Sequence, residues 1–108
     1  MNSFENAKVY KLKNAIDYSE GAIVSKTLVN NDGGNVSLFA FDKGQKLSEH
    51  TAPFNALAHI IEGHAQIQIA DDENSLADGD IIIMPANIPH AVLALEKFKM
   101  VLTMIKAI

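Results

Sequence analysis

The chain has 108 residues, the usual length of one domain, and its hydrophobic fraction of 48% predicts a packed globular protein rather than a disordered one. Its nine basic residues are all lysines, and thirteen acidic residues bring the net charge to −4. The absence of arginine and the negative charge argue against a nucleic-acid partner. No cysteine is present, which excludes disulfides, thiolate metal ligands and thiol nucleophiles.

The first residues carry no targeting signal. Residues 1–6 do not form a basic segment followed by an apolar run, and no stretch approaches about 18 consecutive apolar residues. We therefore expect a cytoplasmic protein without a membrane partner.

Short apolar or alternating runs separated by turn residues follow one another along the chain. The acidic residues 71–74 are interpreted as a solvated hairpin tip, because they lack the glycine and the distal glutamate of a calcium loop. Residues 81–84 are apolar at every position, which predicts a central strand buried on both faces. The predicted strands are residues 22–29, 36–41, 56–61, 65–69, 81–84, 90–95 and 98–105, with Gly44, Gly63 and Gly79 in turns.

Many short strands, with a turn roughly every 8 to 12 residues, predict an all-β sandwich or closed barrel. No run shows a sustained helical period, and no linker or repeat divides the sequence. We expect one domain over residues 1–108, with a core over about 22–105 and an N-terminal arm over 1–21.

Two segments resemble the motifs of a known family. The first begins at Gly44, contains His50-Thr51-Ala52 and ends at Gly63; the second begins at Gly79 and continues through Pro85-Ala86-Asn87-Ile88-Pro89-His90. In order and spacing they are similar to the two cupin motifs. The resemblance implies an all-β cupin fold, the double-stranded β-helix or jelly-roll barrel. Asn87 replaces the glycine of the second motif, and asparagine enters the left-handed region more readily than other non-glycine residues.

The resemblance also implies a metal site, but this sequence has only part of the ligand set. His50 and His90 match two ligand positions of the family, whereas Ala52 replaces the second histidine and Ala56 the glutamate. Two histidines would hold a divalent metal such as Mn, Fe, Ni or Zn weakly, since a catalytic zinc site needs about three protein ligands. The neighbouring candidates for a third ligand are Gln45, Glu49 and Asn55, although Glu49 should face away from His50 on a strand.

The expected pocket is small and mainly apolar. Its predicted lining residues are His50, Ala52, Ala56, Ala58, Met84 and His90. Strand alternation turns His59 away from Ala56 and Ala58, and His64 away from Ala65, so neither is expected to be a ligand. His50 and His90 are therefore the candidates for catalysis or ligand contact.

Two classes of function fit this pocket. We favour a non-catalytic barrel that binds or senses a small, mainly apolar molecule. The alternative is a small enzyme that uses a weakly held divalent metal or the histidines as acid and base on an organic substrate, similar to an oxygenase or an isomerase. Apolar residues on a second face predict a homodimer; they include Phe39, Phe41, Leu57 and Ile61.

Overall fold

The computed structural model describes residues 4–107, which form one single-turn 3-10 helix and nine β-strands. The helix is Leu12–Asn14, and the strands are β1 Ile23–Asn31, β2 Gly34–Phe41, β3 Lys46–His50, β4 Phe54–Glu62, β5 His64–Ile69, β6 Asp72–Ala77, β7 Ile81–Met84, β8 His90–Ala94 and β9 Phe98–Lys106. Residues 1–3 of the predicted arm and Ile108 lie outside the described residues. In this described part of the chain no helix is long and apolar enough to cross a membrane.

Two antiparallel sheets face each other and enclose the core. The five-stranded sheet has the order β1-β2-β9-β4-β7, and the four-stranded sheet has the order β3-β8-β5-β6. The prediction of an all-β barrel is confirmed. Most predicted strands agree with the observed ones to within two residues at each end.

The turns have the backbone geometry that the sequence predicted. Gly44, Gly63 and Gly79 all have positive φ, and Asn87 has φ 64°. Gly63 has a second requirement, because a Cβ atom there would lie 2.1 Å from the carbonyl oxygen of Lys97. Only glycine fits at this turn between β4 and β5.

One end of the barrel interior, which we call the closed end, is filled by apolar side chains. The rings of Phe41 and Phe98 stack there with centroids 4.6 Å apart and an interplanar angle of 18°. The closed end consists of Phe41, Ile60, Ala65, Ala94 and Phe98, none of which is more than 2% exposed. Its packing excludes water from this part of the core.

The N-terminal residues cover part of the outer face of the five-stranded sheet. Ile16 is fully buried there against Leu38 and Ala40. Lys26 and Lys99 donate from Nζ to main-chain carbonyl oxygens of this segment, at 3.1 Å and 2.6 Å. The segment is thus held by one apolar anchor and by two charge-assisted hydrogen bonds.

The prediction that Phe39 and Phe41 belong to a second apolar face is wrong. Both side chains contribute to the barrel core, and it is Leu38 and Ala40 that lie beneath the N-terminal segment. Alternation along β2 explains the error, because the phase of the strand could not be read from a run that is apolar at nearly every position.

The prediction of a central strand at residues 81–84 is wrong. This strand, β7, is an edge of the five-stranded sheet, and Ile81 and Ile83 are 61% and 62% exposed. No predicted strand covers β3 or β6. The tip of the hairpin is at residues 70–71, so most of the acidic tract belongs to β6 itself.

Candidate functional site

A β-bulge in β3 turns His50 into the barrel. Leu47 pairs with Val92 and His50 pairs with His90, so three steps along β3 correspond to two steps along β8. Leu47 already faces inward and borders the same cavity as His50. In a regular strand, His50 would face the outer surface, because it lies three positions after the inward-facing Leu47.

The two histidines form a close pair across β3 and β8. Their ring centroids are 4.4 Å apart with an interplanar angle of 67°. His90 is only 8% exposed, whereas His50 is exposed at the mouth of the cavity. One ring of the pair is therefore buried in the barrel, and the other is in contact with solvent.

Hydrogen bonds fix the same tautomer on both rings when they are neutral. The Nδ1 atom of His50 lies 2.7 Å from the carbonyl oxygen of Ser48, and Nδ1 of His90 lies 3.2 Å from that of Ile88. A carbonyl oxygen can only accept, so each Nδ1 is the donor. This leaves Nε2 of each neutral ring with a free lone pair.

The surroundings of His90 disfavour its charged form. Burial lowers the pKa of His90, and the nearby charge of His50 acts in the same direction, while the hydrogen bond to Ile88 partly opposes them. The neutral ring, which can accept a hydrogen bond or bind a metal, is thereby favoured at neutral pH.

A cavity of about 150 Å³ extends from the histidine pair into the barrel. Apart from the two imidazoles, the side chains around it are all aliphatic, thioether or phenyl groups. The lining residues are Leu47, His50, Ala52, Phe54, Ala56, Met84, His90, Val92, Met100, Leu102 and Met104. The structure brings together His50, Ala52, Ala56, Met84 and His90 from the predicted set.

Ala58 does not border the cavity, in contrast to the prediction. It lies on the inner face of β4 but is fully buried in the core. Its neighbours in register are Ile82 and Leu102, both packed against that core, and their larger side chains occupy the space beside it.

The loop that carries the second motif is fixed to the chain beside the cavity. The backbone N–H of Asn87 donates to the carbonyl oxygen of Ala52 at 2.8 Å, and that of Ala86 donates to Oδ1 of Asn55 at 3.0 Å. Asn55 is thus engaged in holding the loop. The left-handed backbone of Asn87 allows this docking.

His59 and His64 lie away from the cavity. His59 is exposed on the outer face of β4, and the half-buried His64 has Nε2 in hydrogen-bond contact with the hydroxyl of Ser75 on β6. Neither ring borders the cavity of the histidine pair.

Six lining residues were absent from the predicted set. They are Leu47, Phe54, Val92, Met100, Leu102 and Met104. The three from β9 follow strict alternation, which a known phase for that strand would have shown. Leu47 could not be identified in this way, because it lies three positions before His50, and side chains at an odd offset face opposite sides of a regular strand.

The family model described as a cupin domain matches residues 37–106, which is more than half of the chain. The chain belongs to the cupin family. A conserved protein of unknown function from Streptococcus pyogenes is 36% identical to this cupin, with a TM-score of 0.92 over 99% of this chain and 94% of that one.

Other solved structures show the same fold at lower identity. A cupin superfamily protein from Desulfitobacterium hafniense is 27% identical, with a TM-score of 0.88 over 98% of this chain and 96% of that one. A predicted oxalate decarboxylase from Thermotoga maritima is 10% identical, with a TM-score of 0.73 over 78% of this chain and 80% of that one, which shows the fold alone. No curated protein matches the chain.

The donor set does not fit the divalent metal that the cupin motifs imply. Among residues 4–107, no three His, Asp or Glu side chains are grouped so that they could hold a metal ion. Gln45 and Glu49 do not border the cavity, and Asn55 holds the loop. A weak site for Mn, Fe, Ni or Zn at His50 and His90 would thus lack a third protein ligand of the usual kind.

Proposed function

We propose that this cupin binds a small, mainly apolar molecule that donates a hydrogen bond to the histidine pair. The observation that carries this proposal is the tautomer of the two rings. Both Nδ1 atoms are engaged with main-chain carbonyls, which leaves the Nε2 lone pairs as the acceptors at the cavity.

The chemistry of the cavity limits the charge of this ligand. The lining contains no lysine to pair with an anion and no carboxylate to pair with an organic cation. An unpaired charge in an apolar cavity carries a large desolvation penalty. The matching ligand is neutral, with a hydroxyl or N–H group at one end and an apolar body at the other.

The volume of the cavity limits the size of the ligand. It measures about 150 Å³, and an apolar cavity of about that size is known to hold a molecule such as benzene. Sites for drug-sized molecules begin at about 300 Å³. Phenol therefore has a suitable size and polarity as a probe.

Phenol, toluene and benzoate, titrated into the isotope-labelled protein at pH 8, test this proposal by NMR. Phenol should bind about two- to tenfold more tightly than toluene, since one neutral hydrogen bond contributes about 0.5–1.5 kcal/mol. Benzoate should bind weakest because its charge would be buried without a partner.

The variant His90→Leu should remove the preference for phenol over toluene, while His64→Gln, on the outer face, should leave it unchanged. Equal binding of phenol and toluene by the unmodified protein would contradict the role given to the imidazoles. Binding of benzoate as the tightest of the three would contradict the neutral ligand.

A second candidate function is acid–base catalysis by the same pair, on a small organic substrate. The supporting observation is that two imidazoles, each with Nδ1 engaged by a main-chain carbonyl, line one partly enclosed cavity, as a general base and its partner require. Turnover of a hydroxyl-bearing compound that is lost in both His50→Gln and His90→Gln would favour this candidate over simple binding.

We also propose that the protein forms a homodimer through the part of the five-stranded sheet that the N-terminal segment leaves uncovered. Ile81 and Ile83 on edge strand β7 and Ile105 on β9 are all more than 60% exposed and lie on the same outer face. An antiparallel edge can pair with its own copy about a two-fold axis.

Light scattering at micromolar concentration should give twice the monomer mass of 11.7 kDa. The variant Ile83→Asp should shift the protein to the monomer, and Val9→Asp, at an apolar residue that is 91% exposed elsewhere, should not. A monomeric unmodified protein would rule out the dimer.

A further inference from the structure

Methionines gather around the histidine pair. The sequence contains four methionines, and three of them, Met84, Met100 and Met104, line this one cavity. The fourth, Met1, lies outside the described residues. Two of the four histidines border the same space. Soft donor side chains are thus concentrated at the site that lacks the family's carboxylate.

Two of these methionines flank the position where the motif has its glutamate. Ala56 on β4 pairs with Met84 on one side and with Met104 on the other. Met84 is 3% exposed, and Met104 is partly buried against the same core. Where the motif's carboxylate would extend from β4, thioether side chains stand on both neighbouring strands, β7 and β9.

This set of donor side chains carries no negative charge, so it favours a monovalent cation over a divalent one. Imidazole and thioether groups supply lone pairs without negative charge, and no acidic residue borders the cavity. The Born cost of burying an ion rises with the square of its charge, so a divalent ion would bear about four times the penalty of a monovalent ion of equal radius, with no carboxylate to offset it. Thioether ligands also favour soft ions such as Cu⁺ over Mn²⁺, Fe²⁺ or Zn²⁺.

We propose that the cavity is a site for a soft monovalent cation, Cu⁺, with Nε2 of His50 and His90 and the thioether sulfurs of Met84 and Met104 as its ligands. This proposal goes beyond the binding of an organic molecule, because it uses the donor atoms of the wall rather than the volume of the cavity.

The spacing of the rings fits two adjacent ligands rather than two opposed ones. An ion bound in line between two imidazoles, about 2 Å from each Nε2, would separate the ring centroids by about 6 Å. The observed separation is 4.4 Å. The rings therefore bind the ion from one side and leave the opposite side to the thioethers.

Ag⁺, a soft monovalent ion that does not change oxidation state here, is the probe for the first experiment. Ag⁺ is titrated into the untagged protein, and binding is monitored by calorimetry and by NMR of the methionine methyl groups. One ion should bind per chain. The resonances of Met84, Met104, His50 and His90 should shift. Zn²⁺ should bind at least about tenfold more weakly than Ag⁺, a difference of about 1.4 kcal/mol.

The double variant Met84→Leu/Met104→Leu separates thioether ligands from methionines that only fill space. Leucine has a similar volume, so the fold should persist, with a free energy of unfolding within about 1.5 kcal/mol of the original for each substitution. Circular dichroism and urea unfolding verify this. The affinity for Ag⁺ should fall at least tenfold, and the control His59→Gln/His64→Gln should retain it.

Unchanged Ag⁺ affinity in the folded double variant would overturn the proposal, as would a preference for Zn²⁺ or an equal response of His59 and His64. Parallel titrations of the unmodified protein with Ag⁺ and with phenol distinguish the two proposals. Ag⁺ binding without phenol binding overturns only the organic ligand, and phenol binding without Ag⁺ binding overturns only the cation site.

Discussion

The two ends of the barrel interior are built by the same strands, yet they differ in chemistry. On β4 the inward side chain is Ile60 at the closed end and Ala56 at the cavity, and β9 presents Phe98 at the closed end and Met104 at the cavity. The inner-facing positions are equivalent in backbone terms. The difference shows that β4 and β9 each supply stability with one half of their length and line the site with the other half.

The largest effect should follow from truncating a side chain of the closed end. Phe98 is fully buried and stacked on Phe41, so Phe98→Ala should lower the free energy of unfolding by about 3–5 kcal/mol. Urea unfolding followed by circular dichroism measures this change. A loss below about 1 kcal/mol would mean that the closed end does not dominate stability.

A smaller effect on stability is expected where the cavity is filled. Ala56→Leu introduces its added atoms beside a space of about 150 Å³, and the free energy of unfolding should change by less than about 1.5 kcal/mol, whereas phenol binding should be lost.

The matched control is Ala58→Leu, the same substitution two residues further along β4. Ala58 is fully buried in packed core, so overpacking should reduce the free energy of unfolding by about 1–3 kcal/mol or more. Equal costs for the two substitutions would contradict the distinction between the packed core and the cavity.

The smallest effect concerns protonation of His90 in the cation-free protein. Burial, with the charge of His50 in addition, lowers the pKa of His90 below its ordinary value. The unfolded chain then binds this proton more readily than the folded one. The stabilising contribution of neutral His90 is present above its unfolded pKa of about 6.5 and is lost as the pH falls through the folded value.

NMR titration of the imidazole resonances measures this pKa, and His50→Gln should raise it by removing the neighbouring charge. Among the residues that line the cavity, His50 is the other titratable group. A pKa of His90 at or above 6.5 would show that the ring is better solvated than its 8% exposure implies.

Features set by local sequence were predictable. Turn glycines, the alternation of β5 and the two motifs indicated the barrel, and the left-handed backbone of Asn87 followed from its side chain. β6 was not predicted because its residues include only two apolar side chains, Leu76 and Ala77, in a polar run. The position of β7 at an edge depends on which strands pair, and apolar content alone does not determine pairing.

The site was only half predictable for the same reason. His50 and His90 were identified by motif position and Met84 was predicted to line the pocket, but Met100 and Met104 come from β9, which meets β4 only after the sheet has formed. The bulge at residues 48–49 is a property of backbone pairing between β3 and β8, and it leaves no mark in side-chain alternation.

The bulge also makes β3 tolerant of one change in its length. Three steps along β3 from Leu47 to His50 correspond to two steps along β8, so the loss of a single codon between them would remove the bulge and leave both side chains on the inner face by regular alternation. A lineage could thus shorten β3 by one residue while His50 stays opposite His90, whereas the same deletion in a strand without a bulge would reverse the face of the residues beyond it.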